Sequence, residues 1–190
     1  MHQYKGKLLL HTGSMFSGKT SSLEREIKRF RIAGYHTLVF KPSIDNRNNR
    51  DAIKSHDNEE IDAYSVDTVA ALDEIAEREK ADVIAVDEVQ FLGGSVEEVL
   101  AVFNKYLDCG KTVVCAGLDM DFETNPFDLV KEIMARADYV EKHHAVCASC
   151  GADAWISHRT TKEEERVVIG ATEKYEPLCR VCYNLKLKGE

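Results

Sequence analysis

No stretch of the sequence approaches the ~18–20 consecutive apolar residues of a membrane-spanning helix, so no membrane partner is expected. The first residues, Met1 to Lys7, are polar and lead into a short strand-like segment. They lack the apolar region of a secretory signal, and a cytoplasmic location is expected. A basic excess is also missing: 25 Lys and Arg stand against 33 Asp and Glu, a net charge of -8. Duplex-binding proteins usually present a basic face, so nucleic acid is not an expected partner. A single nucleotide remains compatible, because it needs only converging amides, one lysine and a metal. Internal repeats and low-complexity linkers are absent.

What is present is ordinary globular material. Hydrophobic residues make up 44% of the 190 and charged residues 31%, enough for a real core. A domain of common size plus a small appendage fits this length. The six cysteines, in a reducing compartment, are expected as thiols, catalytic groups or metal ligands rather than disulfides.

Along the chain, Leu8–Leu10 is a short buried-strand pattern before a Gly-rich turn. Leu23, Ile27 and Phe30 recur at helical spacing over 19–33, with Gly34 placed as a cap. Strands are expected at 37–41, 82–87 and 112–118, with a short one at Tyr139-Val140. Helices are expected at 68–80, 95–107 with Ser95 as N-cap, and 127–137. Residues 42–58 and 119–127 read as loops. Apolar strands alternating with helices indicate a parallel α/β sheet. After about residue 142 the character changes to short segments between cysteine pairs, with Ala154–Ser157 and Arg166–Ile169 resembling hairpin strands. The expected division is therefore 1–141, a nucleotide-binding α/β domain, and 142–190, a small metal-bound domain.

Gly13-Ser14-Met15-Phe16-Ser17-Gly18-Lys19-Thr20 matches G-x-x-x-x-G-K-[ST] between a strand and a helix. Its glycines let successive amides turn inward on phosphates, and the helix start adds positive potential. Lys19 can reach the β- and γ-phosphates of ATP, and the Thr20 hydroxyl can coordinate Mg²⁺. Met15 and Phe16 are either core or substrate-facing; the motif alone does not decide.

Asp87 ends the apolar strand and is the expected Mg²⁺ acid. Glu88 follows. Alternation along a strand predicts that the two carboxylates diverge, one to the metal and one to the acceptor. Such a glutamate takes the proton of an attacking hydroxyl, or positions a water in an ATPase. The motif thus establishes phosphoryl chemistry without naming the acceptor.

Cys147-x-x-Cys150 and Cys179-x-x-Cys182, with 28 residues between the pairs, suit a structural tetrahedral Zn²⁺ that leaves no open position. Redox dithiols, an Fe–S cluster and buried thiols are the competing readings. Zinc fits best because so short a segment needs a staple. Cys109 and Cys115 read as buried small hydrophobes. His143, His144 and His158 read as surface residues or as neighbours of the metal site.

GSMFSGKT at Gly13–Thr20, DEVQF at Asp87–Phe91, LDMDF at Leu118–Phe122, Asn125-Pro126-Phe127 and the C-terminal VVIGATEKYEPLCRVCY together resemble the thymidine kinase family of bacteria and animal cytosol. The resemblance covers about residues 5 to 184, and it implies a zinc-anchored lasso closing over the nucleoside. It makes Glu88 the catalytic base and Gly13–Thr20 the ATP loop. Asp45, Asn46 and Arg47 match a further nucleotide-site segment. Asp87, Glu88 and Gln90 match the substrate site. Phe91, Leu118, Phe122 and Phe127 match the walls of the thymidine pocket, with Met15 near the base. Ser157 stands where a pocket threonine occurs. Arg166, Val167, Val168, Ile169, Gly170 and Tyr175 match the lasso segment that contacts the nucleoside. The resemblance also implies a homotetramer, feedback inhibition by deoxythymidine triphosphate, and a role in nucleotide salvage for DNA synthesis. Ser14 in place of a frequent proline, and Val89 in place of a small residue, depart from the pattern outside any chemical role.

Two other function classes compete. A P-loop ATPase or switch with a zinc module for a partner would hydrolyse ATP without a nucleoside. A zinc-ribbon nucleic-acid binder would use Arg180 and Lys186–Lys188, but Glu163–Glu165 and the net charge of -8 oppose it.

Overall fold

The computed structural model describes residues 5–43, 51–54, 60–161 and 174–188. The larger part runs β1 (Leu8–Gly13), α1 (Lys19–Ile32), β2 (Thr37–Pro42), β3 (Asp51–Lys54), β4 (Glu60–Val66), α2 (Val69–Arg78) and β5 (Val83–Val86). A 3-10 turn (Val89–Phe91), α3 (Val96–Asp108), β6 (Thr112–Leu118), α4 (Asp128–Arg136) and β7 (Tyr139–His143) complete it. The sheet order is β3-β4-β2-β5-β6-β1-β7. Every neighbour pair is parallel except β3 with β4.

The central strands are buried on both faces, as parallel strands covered by helices must be. Leu8, Leu10, Phe40, Ile84 and Val86 pack on one side with Phe103 and Tyr106 of α3 and Val130 and Ile133 of α4. Leu9, Val39, Ala85 and Val114 pack on the other with Leu23, Ile27 and Phe30 of α1. The periodicity of α1 therefore does what the sequence predicted. Its end is a left-handed Gly34 (φ 84°), with Tyr35 N–H closing back on the Phe30 carbonyl at 3.0 Å. Ser95 caps α3 in a reciprocal box with Glu98.

Two expectations need correction. The polar segment 42–58 is not all loop, because Asp51–Lys54 forms β3, antiparallel on the outer edge of β4. A four-residue edge strand takes its conformation from pairing, not from a local apolar pattern. Strand β4 was not anticipated either, although Ile61, Ala63 and Val66 are buried between exposed Asp62 and Tyr64. Its apolar signal is diluted by Asp62, which faces solvent.

The smaller part holds β8 (Ala145–Val146), β9 (Asp153–Ala154), β10 (Ile156–Arg159), β11 (Tyr175–Leu178) and α5 (Arg180–Lys188). β8 pairs with β9, and β10 pairs with β11, both antiparallel. The expected strand at Ala154–Ser157 is thus two strands broken at Trp155. The expected strand at Arg166–Ile169 lies outside the described residues, and among those residues β10 pairs with β11. Ala145, Cys147, Ala154, Ile156, Leu178, Cys179 and Tyr183 form a separate small core.

Candidate active site and cysteine cluster

The P-loop lies at the C-terminal end of β1, the strand next to edge strand β7, and open α/β sheets bind ligands at the carboxyl ends of their strands. Gly13 (φ 134°), Phe16 (φ 63°) and Gly18 (φ 82°) give the backbone its tight curl. A Cβ on Gly13 would lie 2.1 Å from the His143 carbonyl oxygen, so no other residue lets β7 approach so closely. Lys19 Nζ donates to the Ser14 carbonyl at 2.6 Å across the loop. Burial lowers the Lys19 pKa, while Glu88, Asp87 and Asp119 oppose that shift.

Thr20 Oγ1 lies 3.4 and 3.3 Å from the two carboxylate oxygens of Asp87. Asp87 is buried, and its carboxyl is pushed up to about 7 by burial first and by Glu88 second. A buried acid and a hydroxyl converging beside a P-loop fit a magnesium ion with bound phosphates. Glu88 departs from the strand geometry expected for it. β5 ends at Val86, and Glu88 adopts a left-handed conformation (φ 50°, ψ 42°) that leads into the 3-10 turn. The two acids diverge through that turn and not through pleat alternation. Gln90 Nε2 donates to Glu88 Oε2 at 2.5 Å, while Gln90 Oε1 accepts from Leu118 N–H at 3.0 Å. One amide side chain therefore ties the glutamate to the end of β6.

Phe91 and Phe127 meet edge to face at 6.0 Å between ring centroids. The expected loop 119–127 is an ordered turn: Asp121 Oδ1 accepts from Glu123 N–H at 3.1 Å and from Asn125 N–H at 2.9 Å. That turn holds Phe122, and the Arg159 guanidinium sits 3.7 Å from its ring centroid. Arg159 also donates to the Tyr175 hydroxyl at 2.8 Å. Sequence reading did not single out Arg159, and no local motif marks it. Ser157 Oγ accepts from Met15 N–H at 2.9 Å, and Ser14 Oγ donates to the Ala154 carbonyl at 3.3 Å. The small part is thus docked directly on the P-loop.

The thymidine kinase family model matches residues 6–183. A thymidine kinase of Bacteroides thetaiotaomicron is 40% identical over 186 residues, 98% of this chain and 90% of that protein. One from a Rhodothermus species is 42% identical over 171 residues, 90% of this chain and 78% of that protein. The chain belongs to the thymidine kinase family. It is a nucleoside kinase, and the ATPase-or-switch alternative is not favoured. Among solved structures, the flagellar accessory protein FlaH from Methanocaldococcus jannaschii aligns at TM-score 0.52 and 14% identity, over 73% of this chain and 71% of that one. That likeness concerns the P-loop α/β fold alone.

Within this thymidine kinase family member, the structure brings together Gly13–Thr20, Asp87, Glu88, Gln90, Leu118 and Ser157 through the bonds above. Phe91 pairs with Phe127, and Phe122 is joined to Tyr175 through Arg159. Asp45, Asn46, Arg47 and Arg166–Gly170 lie outside the described residues. The four predicted cysteines do converge, their sulfur atoms all within 4.8 Å of one another. Cys150 and Cys179 Sγ are 3.7 Å apart, close to the ~3.8 Å edge of a tetrahedron with ~2.3 Å metal–sulfur bonds. Cys182 N–H points at Cys179 Sγ from 3.4 Å, and Gly151 turns left-handed (φ 75°) just after the first pair. Burial alone would raise the Cys147 thiol, but backbone N–H groups of Cys179, Cys150 and Ser149 hold it down at about 6. Hydrogen bonding with Cys179 and then Cys150 pushes Cys182 up to about 12. Four thiolates cannot share this space without a cation, so the donor set fits a metal ion. Of the other cysteines, Cys115 is buried as expected, whereas Cys109 is exposed because it caps the solvent end of α3.

Proposed function

We propose that the chain transfers the γ-phosphoryl group of ATP to the 5′-hydroxyl of deoxythymidine, and of deoxyuridine, giving the 5′-monophosphate. The observation that carries the reading is the placement of Glu88. Gln90 holds it next to the buried Asp87, which Thr20 approaches from the phosphate loop. In the proposed step Glu88 takes the proton of the 5′-hydroxyl as its oxygen bonds the γ-phosphorus and ADP departs. Gly13–Lys19 hold the triphosphate, with Asp45, Asn46 and Arg47 assigned to the same nucleotide. Magnesium, held by Thr20 and Asp87, neutralises phosphate charge.

Phe91, Leu118, Phe122 and Phe127, with Met15, Ser157 and Tyr175, are assigned to the thymidine pocket. Thymine offers one N–H and two carbonyls for backbone groups to read, and Arg166, Val167, Val168, Ile169 and Gly170 are assigned to that recognition. The β10–β11 ladder and the Thr160 N–H bond to the Lys174 carbonyl at 2.9 Å support a loop closed at its base. Cys147, Cys150, Cys179 and Cys182 are assigned to a structural zinc. The division at 141/142 belongs to the same reading, with β7 carrying the large sheet to His143. Cytoplasmic salvage, a homotetramer and inhibition by deoxythymidine triphosphate complete it; among the described residues no helix is long and apolar enough to cross a membrane.

The test is ADP formation by the purified protein with Mg²⁺, with and without thymidine, alongside other nucleosides. ADP that appears only with thymidine or deoxyuridine, together with the 5′-monophosphate, is the expected result. ADP formed equally without any nucleoside would assign Glu88 to water and overturn the reading.

A further inference from the structure

A second cluster of ligand-type side chains lies on the edge of the main sheet. In the parallel β1–β7 register His11 faces Glu141, and Gly13 faces His143. Residues two apart on a strand share a face, so His11, Glu141 and His143 project from the same side of this edge. That side is the one α1 covers further in, where Leu9 packs. The bare Cα of Gly13 is what lets His143 sit so near β1.

We propose that His11, Glu141 and His143 form a second metal site, which takes a zinc ion separately from the four cysteines. Their donor atoms form a small triangle. His11 Nδ1 lies 3.1 Å from His143 Nε2 and 3.3 Å from Glu141 Oε2, and His143 Nε2 lies 3.8 Å from Glu141 Oε2. Ligands at ~2.0–2.1 Å around a tetrahedral zinc are about 3.3–3.4 Å apart, the size of this triangle. Two imidazoles and one carboxylate suit zinc far better than magnesium or calcium, which want oxygen. Three protein ligands leave the fourth position to solvent.

His11 is 5% exposed, and it turns Nδ1, not Nε2, toward both other ligand atoms. Burial lowers the pKa of both imidazoles, with Glu141 opposing and Arg25 of α1 reinforcing the shift; Glu26 of α1 also opposes it at His11, as His11 and Lys19 reinforce it at His143. Neutral imidazole is the form that ligates. The Glu141 side chain is 54% exposed and opens the triangle to solvent. A bound ion would clamp β7 to β1 two residues before the P-loop begins.

The experiment is zinc stoichiometry of the purified full chain by elemental analysis after equilibration with micromolar zinc and gel filtration. The expected count is about two ions per chain, one for each set of ligands. Glu141→Gln changes an exposed side chain and His143→Gln a mostly buried one, and each should leave about one ion, with affinity for the other weakened more than about tenfold. The ion that remains reports on the cysteine cluster and, with an unchanged circular dichroism spectrum, shows that these variants fold. Cobalt substitution gives an independent readout: the second equivalent should add d–d absorption without thiolate charge transfer, and the variants should abolish it. One ion per chain in the unmodified protein, or about two in both variants, would overturn the site. Neither count depends on nucleoside turnover, so the result stands apart from the kinase reading.

Discussion

At the scale of single residues, the conformation of Glu88 ties structure to chemistry. A left-handed glutamate is costly, on the order of 1 kcal/mol or more, and Glu88 is one of four non-glycine residues with positive φ among the described residues. The cost is offset by a buried neighbour on one side, Val89, and by the Gln90 bond on the other. What the strain secures is direction: Asp87 turns inward to Thr20 while Glu88 is aimed elsewhere. Glu88→Gln keeps the shape and removes the proton acceptor. Turnover should fall by about 10²–10⁴-fold, with ATP affinity little changed. Single-turnover kinetics beside a nucleotide titration separate the two effects. Near-normal turnover would remove Glu88 from the role of base.

At the scale of elements, the end of β6 decides whether Glu88 stays where it is. Gly117 faces the 3-10 turn, and a Cβ there would lie 2.7 Å from Gln90 Oε1 and 2.9 Å from Val89 Cγ1. Val89 is fully buried and cannot retreat. Gly117→Ala should therefore displace Gln90, release both Glu88 and Leu118 N–H, and cost about 1–3 kcal/mol of stability through overpacking. A lower melting temperature together with a lower kcat is the expected outcome; an unchanged melting temperature would mean that the turn is looser than this packing implies. Such contacts show where sequence reading reaches its limit. The P-loop, the acidic strand end and the cysteine pairs are legible because their chemistry is written in short local spacing. Helices α1 and α3 are legible through period and caps. Strand β3 is not, since only its partner makes it a strand. Arg159, clamped between Phe122 and Tyr175, and His11, facing β7, take their meaning from residues far away in the chain, and no local pattern carries that.

At the scale of the whole molecule, the cysteine-bound part is a structural continuation of the phosphate loop. Ser14 and Met15 bond to Ala154 and Ser157, Phe16 packs on the small core beside Cys182, and the Tyr183 hydroxyl donates to the Phe122 carbonyl at 3.2 Å. The small core has too few apolar residues to hold these contacts alone, so a metal ion held by the four cysteines would supply much of its stability. Loss of the ion should then be felt at both substrates. Cys179→Ser removes a buried ligand at the foot of the β10–β11 ladder, and we expect zinc at the cysteine cluster to be lost. A fault confined to the nucleoside pocket would raise KM for thymidine alone. Because β9 and β10 also hold the P-loop, KM for ATP should rise with it. Full zinc retention with unchanged constants for both substrates would contradict the four-cysteine site, whereas a change for thymidine alone would show that the P-loop keeps its shape without the support of the small core.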